Sequence, residues 1–199
     1  MNPNFKKSHW LWTESDIAPL IHAINIMGEN LTGLELGVEK GDSFMTLLHN
    51  CKSLKKLYGV DSWTSYIDYL KNVPDGRPAY ECNQKDSDFN KATFDIHLKY
   101  GIVEELGKEV IILHEDSMTA VNKIEDESLD FIFFDAMMSE NQTYQEAMAY
   151  YPKIKKGGYF TGHDANALTQ VLEPIERVKK NFNNNNELIS YDNCFMFKV

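Results

Sequence analysis

Apolar residues follow two spacings along the chain, one typical of helices and the other of buried strands. From Ile17 to Met27 they recur at every third or fourth position, which predicts an amphipathic helix capped by Ser15 or Asp16 and ended by Gly28. Elsewhere, five short apolar runs end in turns that carry an acid, and the first of them is too apolar for a strand with one exposed face. These runs are LTGLELGV, KKLYGVDSW, EVIILHEDS, SLDFIFFDA and GGYFTGHDA.

Helical stretches alternate with these strands. They include DSFMTLLHNC, which opens on Asp42 as a cap, NQTYQEAMAYYPKI, and VLEPIERVKKNF, where Pro174 is tolerated only near the first turn. Such alternation produces right-handed βαβ units and a parallel sheet covered on both faces. Two last short strands surround Asp192 and Asn193 with no helix between them. The sequence therefore predicts an α/β fold: a Rossmann-like, doubly wound, mostly parallel seven-stranded sheet with a C-terminal antiparallel hairpin.

The chain length predicts a single domain over residues 1–199, with an N-terminal helical segment at residues 1–30. Residues 64–100 are longer than an ordinary connection, and they close with a helical pattern around Phe94 and Leu98. Insertions of this length often cover active sites, so we interpret this stretch as a substrate lid or insertion.

Composition and charge narrow the classes of partner. The net charge of −10 argues against nucleic acid and anionic membrane, because both bind basic surfaces. Cys51, Cys82 and Cys194 form neither a metal knuckle nor a complete set of disulfides, as expected for reduced thiols. No secretory signal is apparent, and no apolar run approaches the roughly 20 residues of a membrane span. We expect a cytoplasmic protein that binds a neutral or cationic small molecule, and homo-oligomerisation is left open.

Acidic residues gather where the predicted strands end. In an open parallel sheet the ligand lies outside the carboxyl ends of the strands, near the point where strand order reverses. Those ends carry Glu35 with Gly37, Asp61, Glu115 with Asp116, Asp135, and His163 with Asp164. Asp61 follows the first glycine by roughly 20 positions, the distance typical of the acid that binds a ribose. The strand ends therefore predict a site for a nucleoside-containing ligand.

The loop from Gly37 to Gly41 distinguishes between such ligands. A dinucleotide needs G-x-G-x-x-G around its pyrophosphate, whereas this loop is G-x-x-x-G and is flanked by Glu35, Glu39 and Asp42. Repulsion between like charges at about 4 Å costs roughly 1 kcal/mol in water and more near a protein surface. S-adenosylmethionine has no phosphate and carries a positive sulfonium and ammonium, so the loop favours it.

These residues resemble the motifs of class I S-adenosylmethionine-dependent methyltransferases, in the form found in small-molecule O-methyltransferases. Glu35-Leu36-Gly37 with Gly41 and Ser43 resembles the first motif, and FIFFDA and YYPKIKKGGYFTGHD resemble the fourth and fifth. The resemblance covers about residues 31–199. It implies a set of cofactor-binding residues: Glu35, Gly37, Gly41, Ser43, Asp61, Trp63, Asp116, Ser117 and Asp135.

Several of these residues also have purely structural interpretations. The two glycines alone could form a strand-to-helix turn, and Asp116 with Ser117 could cap a helix. Glu35 could orient the loop or reach the ammonium of the ligand, and Trp63 could flank the ligand or begin the core of the next segment. The sequence does not separate these interpretations.

The ends of the fourth and fifth strands carry the candidate chemistry. Asp135 and Asp164 would converge near the transferred methyl group, where two carboxylates suit Mg²⁺. The resemblance to metal-dependent O-methyltransferases supports this ion, although Met138 replaces their usual lysine and Ala165 their second ligand. His163 is the best-placed general base, because the usual histidine after the fourth strand is absent. It could equally be a structural histidine beside Asp164.

The function expected from these observations is methyl transfer from S-adenosylmethionine to an oxygen of a small-molecule acceptor. Met137 and Met138 would provide an apolar wall for that acceptor. One alternative is a nicotinamide-dependent oxidoreductase, which the acidic loop disfavours. Another is a protein that binds the cofactor without catalysis, as the two methionines make conceivable.

Overall fold

A computed structural model describes residues 14–65, 83–101, 106–136 and 139–199. It contains a seven-stranded sheet in the order β3-β2-β1-β4-β5-β7-β6. The strands are β1 Leu31–Leu36, β2 Leu54–Asp61, β3 Glu109–His114, β4 Leu129–Phe134, β5 Ile154–His163, β6 Ile189–Tyr191 and β7 Cys194–Lys198. The first five are parallel, and β7 runs antiparallel to both β5 and β6. The predicted fold class is thus confirmed, including the terminal hairpin.

Helices cover both faces of the sheet. They are α1 Glu14–Met27, α2 Asp42–Asn50, α3 Gln84–Tyr100, α4 Ser117–Ala120, α5 Glu140–Tyr150 and α6 Glu173–Asn181. Phe131 and Phe133 of β4 pack in one apolar cluster with residues of α1, α2 and α3. Ile132 and Phe134 pack in a second cluster with residues of α4, α5 and α6. Because successive side chains of a strand point to opposite faces, β4 forms the middle of both cores.

Two elements differ from the predicted boundaries. The cap of α2 is Gly41 rather than Asp42, and it makes no side-chain capping bond. Its φ of 85° is a left-handed conformation that glycine adopts readily, so Asp42 moves into the first helical turn, where a negative charge is favourable. The other element is α1, which begins at Glu14, before the predicted caps at Ser15 and Asp16. Pro174 lies in the first turn of α6, as predicted.

The strand order reverses at β1, which pairs with β2 on one side and with β4 on the other. At the carboxyl edge, Leu36 pairs with both Val60 and Phe134, so the segments that follow the three strands are neighbours. The amide N–H of Asp135 donates to the carbonyl oxygen of Leu36 at 2.8 Å, which joins the ends of β1 and β4. This edge is therefore where the predicted site residues meet.

The predicted insertion is described only in part. Its helix α3 packs Phe94 fully into the core, and residues 66–82 lie outside the described part of the chain. Met137 and Met138, predicted to line the acceptor pocket, also lie outside it. Within the described ranges, no helix is both long enough and apolar enough to cross a membrane.

Candidate active site

Residues 37–41, which we call the glycine loop, connect β1 to α2. Gly37 has φ of 87°, and a Cβ atom there would lie 2.0 Å from the carbonyl oxygen of Asp135. A Cβ atom on Gly41 would lie 2.4 Å from the ring of Phe94. Both glycines are therefore required by the close approach of the loop to the end of β4 and to α3. Their contact with a cofactor stays a prediction.

Asp61, at the end of β2, holds the glycine loop through its carboxylate. Its Oδ2 accepts hydrogen bonds from the backbone N–H groups of Val38 at 2.9 Å and Glu39 at 2.8 Å. Its Oδ1 accepts from the backbone N–H of Trp63 at 2.7 Å. Since a carboxylate oxygen has two acceptor positions, Oδ2 is fully used by these two bonds and Oδ1 retains one position for a ligand hydroxyl.

Glu35 and Ser43 form a buried pair beneath the loop. The Ser43 hydroxyl donates to Oε1 of Glu35 at 2.5 Å, and Oε2 is buried without a hydrogen-bond partner. Burial raises the pKa of Glu35 well above its usual value; the Ser43 bond opposes this change, and the charges of Asp135 and Asp61 reinforce it. Glu35 thus joins β1 to α2, which is the geometry of a group that orients the loop.

Trp63 is 5% exposed and belongs to the core of the α1, α2 and α3 face. Its ring stacks on Phe94 with centroids 5.5 Å apart, and its Nε1–H donates to the carbonyl oxygen of Glu39 at 2.8 Å. The side chain therefore joins α3 to the glycine loop. A direct contact between Trp63 and a ligand stays a prediction.

Asp116 and Ser117 follow β3 and begin α4. Oδ1 of Asp116 accepts from the backbone N–H of Met118 at 2.9 Å, so Asp116 does cap this helix. The Ser117 hydroxyl donates to Oε1 of Glu146 in α5 at 2.5 Å. Glu146 is 1% exposed, and burial raises its pKa. Nothing in the sequence marks Glu146, because an acid within a helical pattern ordinarily lies on the solvent face.

Asp135, His163 and Asp164 lie together, and we call them the His163 cluster. Nδ1 of His163 lies 3.4 Å from Oδ1 of Asp135 and 3.4 Å from Oδ1 of Asp164. Burial lowers the pKa of His163, but the two carboxylates outweigh this effect and raise the pKa to about 10. Burial raises the pKa of Asp135, and His163 opposes that change. The predicted convergence of the fourth and fifth strand ends is therefore present.

A residue of the terminal hairpin completes these contacts. The amide nitrogen Nδ2 of Asn193 lies 3.2 Å from Nε2 of His163 and donates to Oδ1 of Asp164 at 3.1 Å. Its oxygen Oδ1 accepts from the backbone N–H of Asn166 at 3.0 Å. His163 pairs with Cys194 in the sheet, so strand pairing brings Asn193 to the cluster. In the sequence Asn193 is only a turn residue, and no local signal marks it.

The His163 cluster also has the spacing of a cation site. One donor atom from each of its three side chains lies within 4.8 Å of the other two. Carboxylate and imidazole groups both bind divalent ions, so distance alone permits one. The direction in which the His163 ring presents its proton decides whether the donor set suits a metal ion.

Comparison with known proteins places this geometry in a family context. A family model described as a methyltransferase domain matches residues 34–165, which is more than half of the chain. This match includes the glycine loop, Asp61, Asp116 and the whole His163 cluster. A search of curated protein sequences finds no match.

Solved structures share the fold at low sequence identity. The chain is similar to the O-methyltransferase NovP, with a TM-score of 0.66 and 15% identity over 92% of this chain and 74% of that one. It is similar to cofactor-bound Rv0187 from MTB, with a TM-score of 0.57 and 11% identity over 92% of this chain and 77% of the other. It is also similar to a protein from Corynebacterium glutamicum, with a TM-score of 0.56 and 10% identity over 90% of this chain and 78% of the other. These similarities show a common Rossmann-like architecture.

Proposed function

The chain belongs to the methyltransferase-domain family and is an S-adenosylmethionine-dependent methyltransferase, and we propose that it methylates an oxygen of a small-molecule acceptor. The observation that carries this proposal is the acid-lined carboxyl edge of the sheet, where Glu35, Asp61 and Asp135 surround the glycine loop. The shared fold with a protein named as an O-methyltransferase supports oxygen as the acceptor atom. Family membership favours methyl transfer over the nicotinamide-dependent alternative.

The described side chains divide the proposed cofactor site into three parts. Asp61 accepts a hydrogen bond from a ribose hydroxyl through the remaining position of its Oδ1 atom. Asp116 and Ser117, next to the end of β3, form one side of the adenine site. The glycine loop and Ser43 receive the amino-acid part of the cofactor, whose ammonium is attracted by the surrounding carboxylates. Trp63 supports this loop from the side of α3.

Asp135 lies at the centre of the proposed reaction. Its backbone follows β4 directly beside Gly37, and its carboxylate faces Nδ1 of His163. S-adenosylmethionine supplies a methyl group bound to a positively charged sulfur. The acceptor hydroxyl transfers its proton to the Asp135–His163 pair as its oxygen forms the new bond to the methyl carbon. The bond between that carbon and sulfur breaks in the same step, and sulfur keeps the electron pair and leaves as a neutral thioether. The enzyme contributes mainly by alignment of the two reactants and by exclusion of water.

Enclosure of the acceptor is assigned to two segments. The first is residues 64–100, which follow β2, and the second is residues 136–143, which follow β4 and end in the first residues of α5. Both include residues outside the described part of the chain. Helix α3 fixes the end of the first segment, because Phe94 is fully buried and Nδ2 of Asn90 donates to Oε1 of Glu39 at 3.1 Å. The lid is thus proposed to be anchored on the glycine loop itself.

Replacement of Asp61 by alanine tests the assignment. Asp61→Ala removes the ribose acceptor, two hydrogen bonds to the glycine loop and one to the backbone of Trp63. We therefore expect titration calorimetry to show at least about a 100-fold loss of affinity for S-adenosylmethionine. Asp95→Ala, which removes a carboxylate that pairs with Lys91 on α3, serves as the control and should bind normally. Unchanged affinity in Asp61→Ala would reject this strand end as the ribose site.

The acceptor atom is tested with S-adenosylmethionine labelled with ¹³C in its methyl group. Panels of phenols, sugars and amines are incubated with the enzyme, and the carbon chemical shift of the product distinguishes a methyl ether from a methylamine. Labelled methyl ethers support the proposal. Labelled methylamines alone would contradict it.

A further inference from the structure

The hydrogen bonds of Asn193 determine how its amide group is oriented. The oxygen Oδ1 accepts from the backbone N–H of Asn166, which can only donate. The nitrogen Nδ2 donates to a carboxylate oxygen of Asp164. In a flipped amide, the nitrogen of Asn193 would face the N–H of Asn166, and its oxygen would face the carboxylate of Asp164. Neither contact would be a hydrogen bond, so both bonds require the same orientation. Asn193 therefore presents an N–H group to Nε2 of His163, at 3.2 Å.

The orientation of Asn193 in turn fixes the proton of His163. A neutral imidazole carries one proton, and Nε2 faces a donor, so Nε2 accepts and the proton lies on Nδ1. This Nδ1–H group points between the Asp135 and Asp164 carboxylates, whose Oδ1 atoms are both 3.4 Å away. A second proton would lie on Nε2, where the N–H of Asn193 opposes it. Nδ1 therefore carries a proton in both charge states.

This arrangement does not suit a divalent ion bound by all three side chains. Such an ion would need the lone pair of Nδ1, and the ring proton would then lie on Nε2. Metal-bound histidines normally donate that proton to an oxygen acceptor, whereas Nε2 here faces the N–H of Asn193. Two donors would oppose each other at hydrogen-bonding distance. The donor set thus disagrees with the Mg²⁺ site expected at Asp135 and Asp164.

We propose that Asn193 is a positioning residue that directs the Nδ1 proton of His163 at Asp135 and Asp164, so that an imidazole N–H group joins these carboxylates where a divalent cation would otherwise bind. The N–H group draws the two acids together and orients Asp135. It supplies the positive end of a dipole, or a full positive charge, at this position. The site therefore needs no metal ion to hold its acids in place, and the terminal hairpin is part of the active-site architecture.

The first test reads the proton directly. The protein contains six histidines, so it is labelled with ¹⁵N-histidine and the His163 signals are assigned by their loss in His163→Gln. Two-bond ¹H–¹⁵N correlation spectra distinguish a protonated from an unprotonated Nδ1. We expect Nδ1 of His163 to be protonated in the wild-type protein. An unprotonated Nδ1 would overturn the proposal, and this result does not depend on any variant of Asn193.

The second test asks whether Asn193 is what disfavours a metal ion. Asn193→Asp replaces the opposing N–H by an oxygen acceptor, which is the usual partner of a metal-bound histidine. Asn166→Asp is the matched control, because it adds the same charge at an exposed neighbouring position and leaves the Asn193 amide unchanged. Mn²⁺ binding is measured by electron paramagnetic resonance of the free ion, with Mg²⁺ calorimetry in parallel.

We expect the affinity of Asn193→Asp for Mn²⁺ to exceed that of Asn166→Asp by about tenfold or more. Equal affinities in the two variants would show that Asn193 does not control the site. One Mn²⁺ bound per wild-type chain with micromolar affinity would also overturn the proposal. None of these measurements requires a methyl acceptor, so they remain informative whichever acceptor the enzyme uses.

Discussion

The glycine loop and the His163 cluster lie on one edge of the sheet, yet different partners hold their acids. Asp61 is bound by backbone N–H groups, two from the loop it supports and one from a residue just beyond it in the chain. Asp135 and Asp164 are bound by side chains that come from β5 and from the terminal hairpin. Backbone donors are available whatever the side chains are, whereas the cluster depends on the identity of two distant residues. Apart from Gly37 and Gly41, we therefore expect the loop to tolerate side-chain changes better than the cluster does.

The largest expected effect follows from the point where the two regions touch. Gly37→Ala would place a Cβ atom 2.0 Å from the carbonyl oxygen of Asp135, at a backbone φ of 87°. Overpacking and backbone strain add, so the free energy of unfolding should fall by at least about 3 kcal/mol in urea denaturation.

The control for this substitution is Gly107→Ala. Gly107 also has a positive φ, of 63°, but nothing lies within 4 Å of its added Cβ. Gly107→Ala should therefore lower the free energy of unfolding by about 1 kcal/mol, because only the backbone conformation becomes unfavourable. Equal losses in the two variants would mean that the contact between the loop and the end of β4 contributes little.

An intermediate effect is expected at Glu35, and it depends on pH. The pKa of this acid is raised in the folded protein from its usual value of 4.5, so the folded state binds its proton more tightly than the unfolded state. The resulting stability is present below pH 4.5 and is lost as the pH rises through the folded pKa. Glu35→Gln keeps an acceptor for the Ser43 hydroxyl. Because glutamine does not titrate, the variant does not lose stability at this position as the pH rises.

Urea denaturation at pH 4 and pH 8 measures the effect of Glu35→Gln. We expect the variant to be more stable than the wild-type protein at pH 8 and similar to it at pH 4. Glu29→Gln, at an exposed position, provides the comparison. A difference that is the same at both pH values would indicate that Glu35 does not change its protonation in this way.

The smallest effect is expected at Trp63, on the outer side of the glycine loop. Trp63→Phe retains the stacking on Phe94 and removes the bond from Nε1–H to the carbonyl oxygen of Glu39. One neutral hydrogen bond contributes about 1 kcal/mol, so unfolding should become easier by that amount. His114→Leu, which removes the edge contact of the imidazole with the Trp63 ring and its contact with the carbonyl oxygen of Ser62, is the control. A much larger loss in Trp63→Phe would show that the loop is held mainly from the side of α3.

The glycine loop and the His163 cluster also differ in how many of their contacts could be predicted from the sequence. The glycine loop and Asp61 belong to segments whose strand, turn and helix signals are local, so their positions followed from periodicity and strand ends. The convergence of Asp135 with Asp164 followed from their places on neighbouring parallel strands. These predictions needed only the order of the elements.

Asn193 and Glu146 could not be found in that way. Asn193 reaches the cluster because His163 pairs with Cys194, and a sequence pattern does not specify the register of a hairpin against a distant strand. Glu146 is buried because α5 presents one polar face to Ser117, which depends on the docking of two helices. The surroundings of both residues are determined by tertiary contacts between distant segments, which the local sequence does not reveal.

The negative character of the sheet's carboxyl edge has a consequence for turnover. The transferred group leaves a neutral thioether where a sulfonium had been, so electrostatic attraction toward the carboxylates weakens at the moment of reaction. If the donor binds at this edge as proposed, we expect the edge to retain the charged donor more strongly than the spent by-product, so that the reaction itself promotes product release. Added salt should weaken binding of the donor more than binding of the by-product.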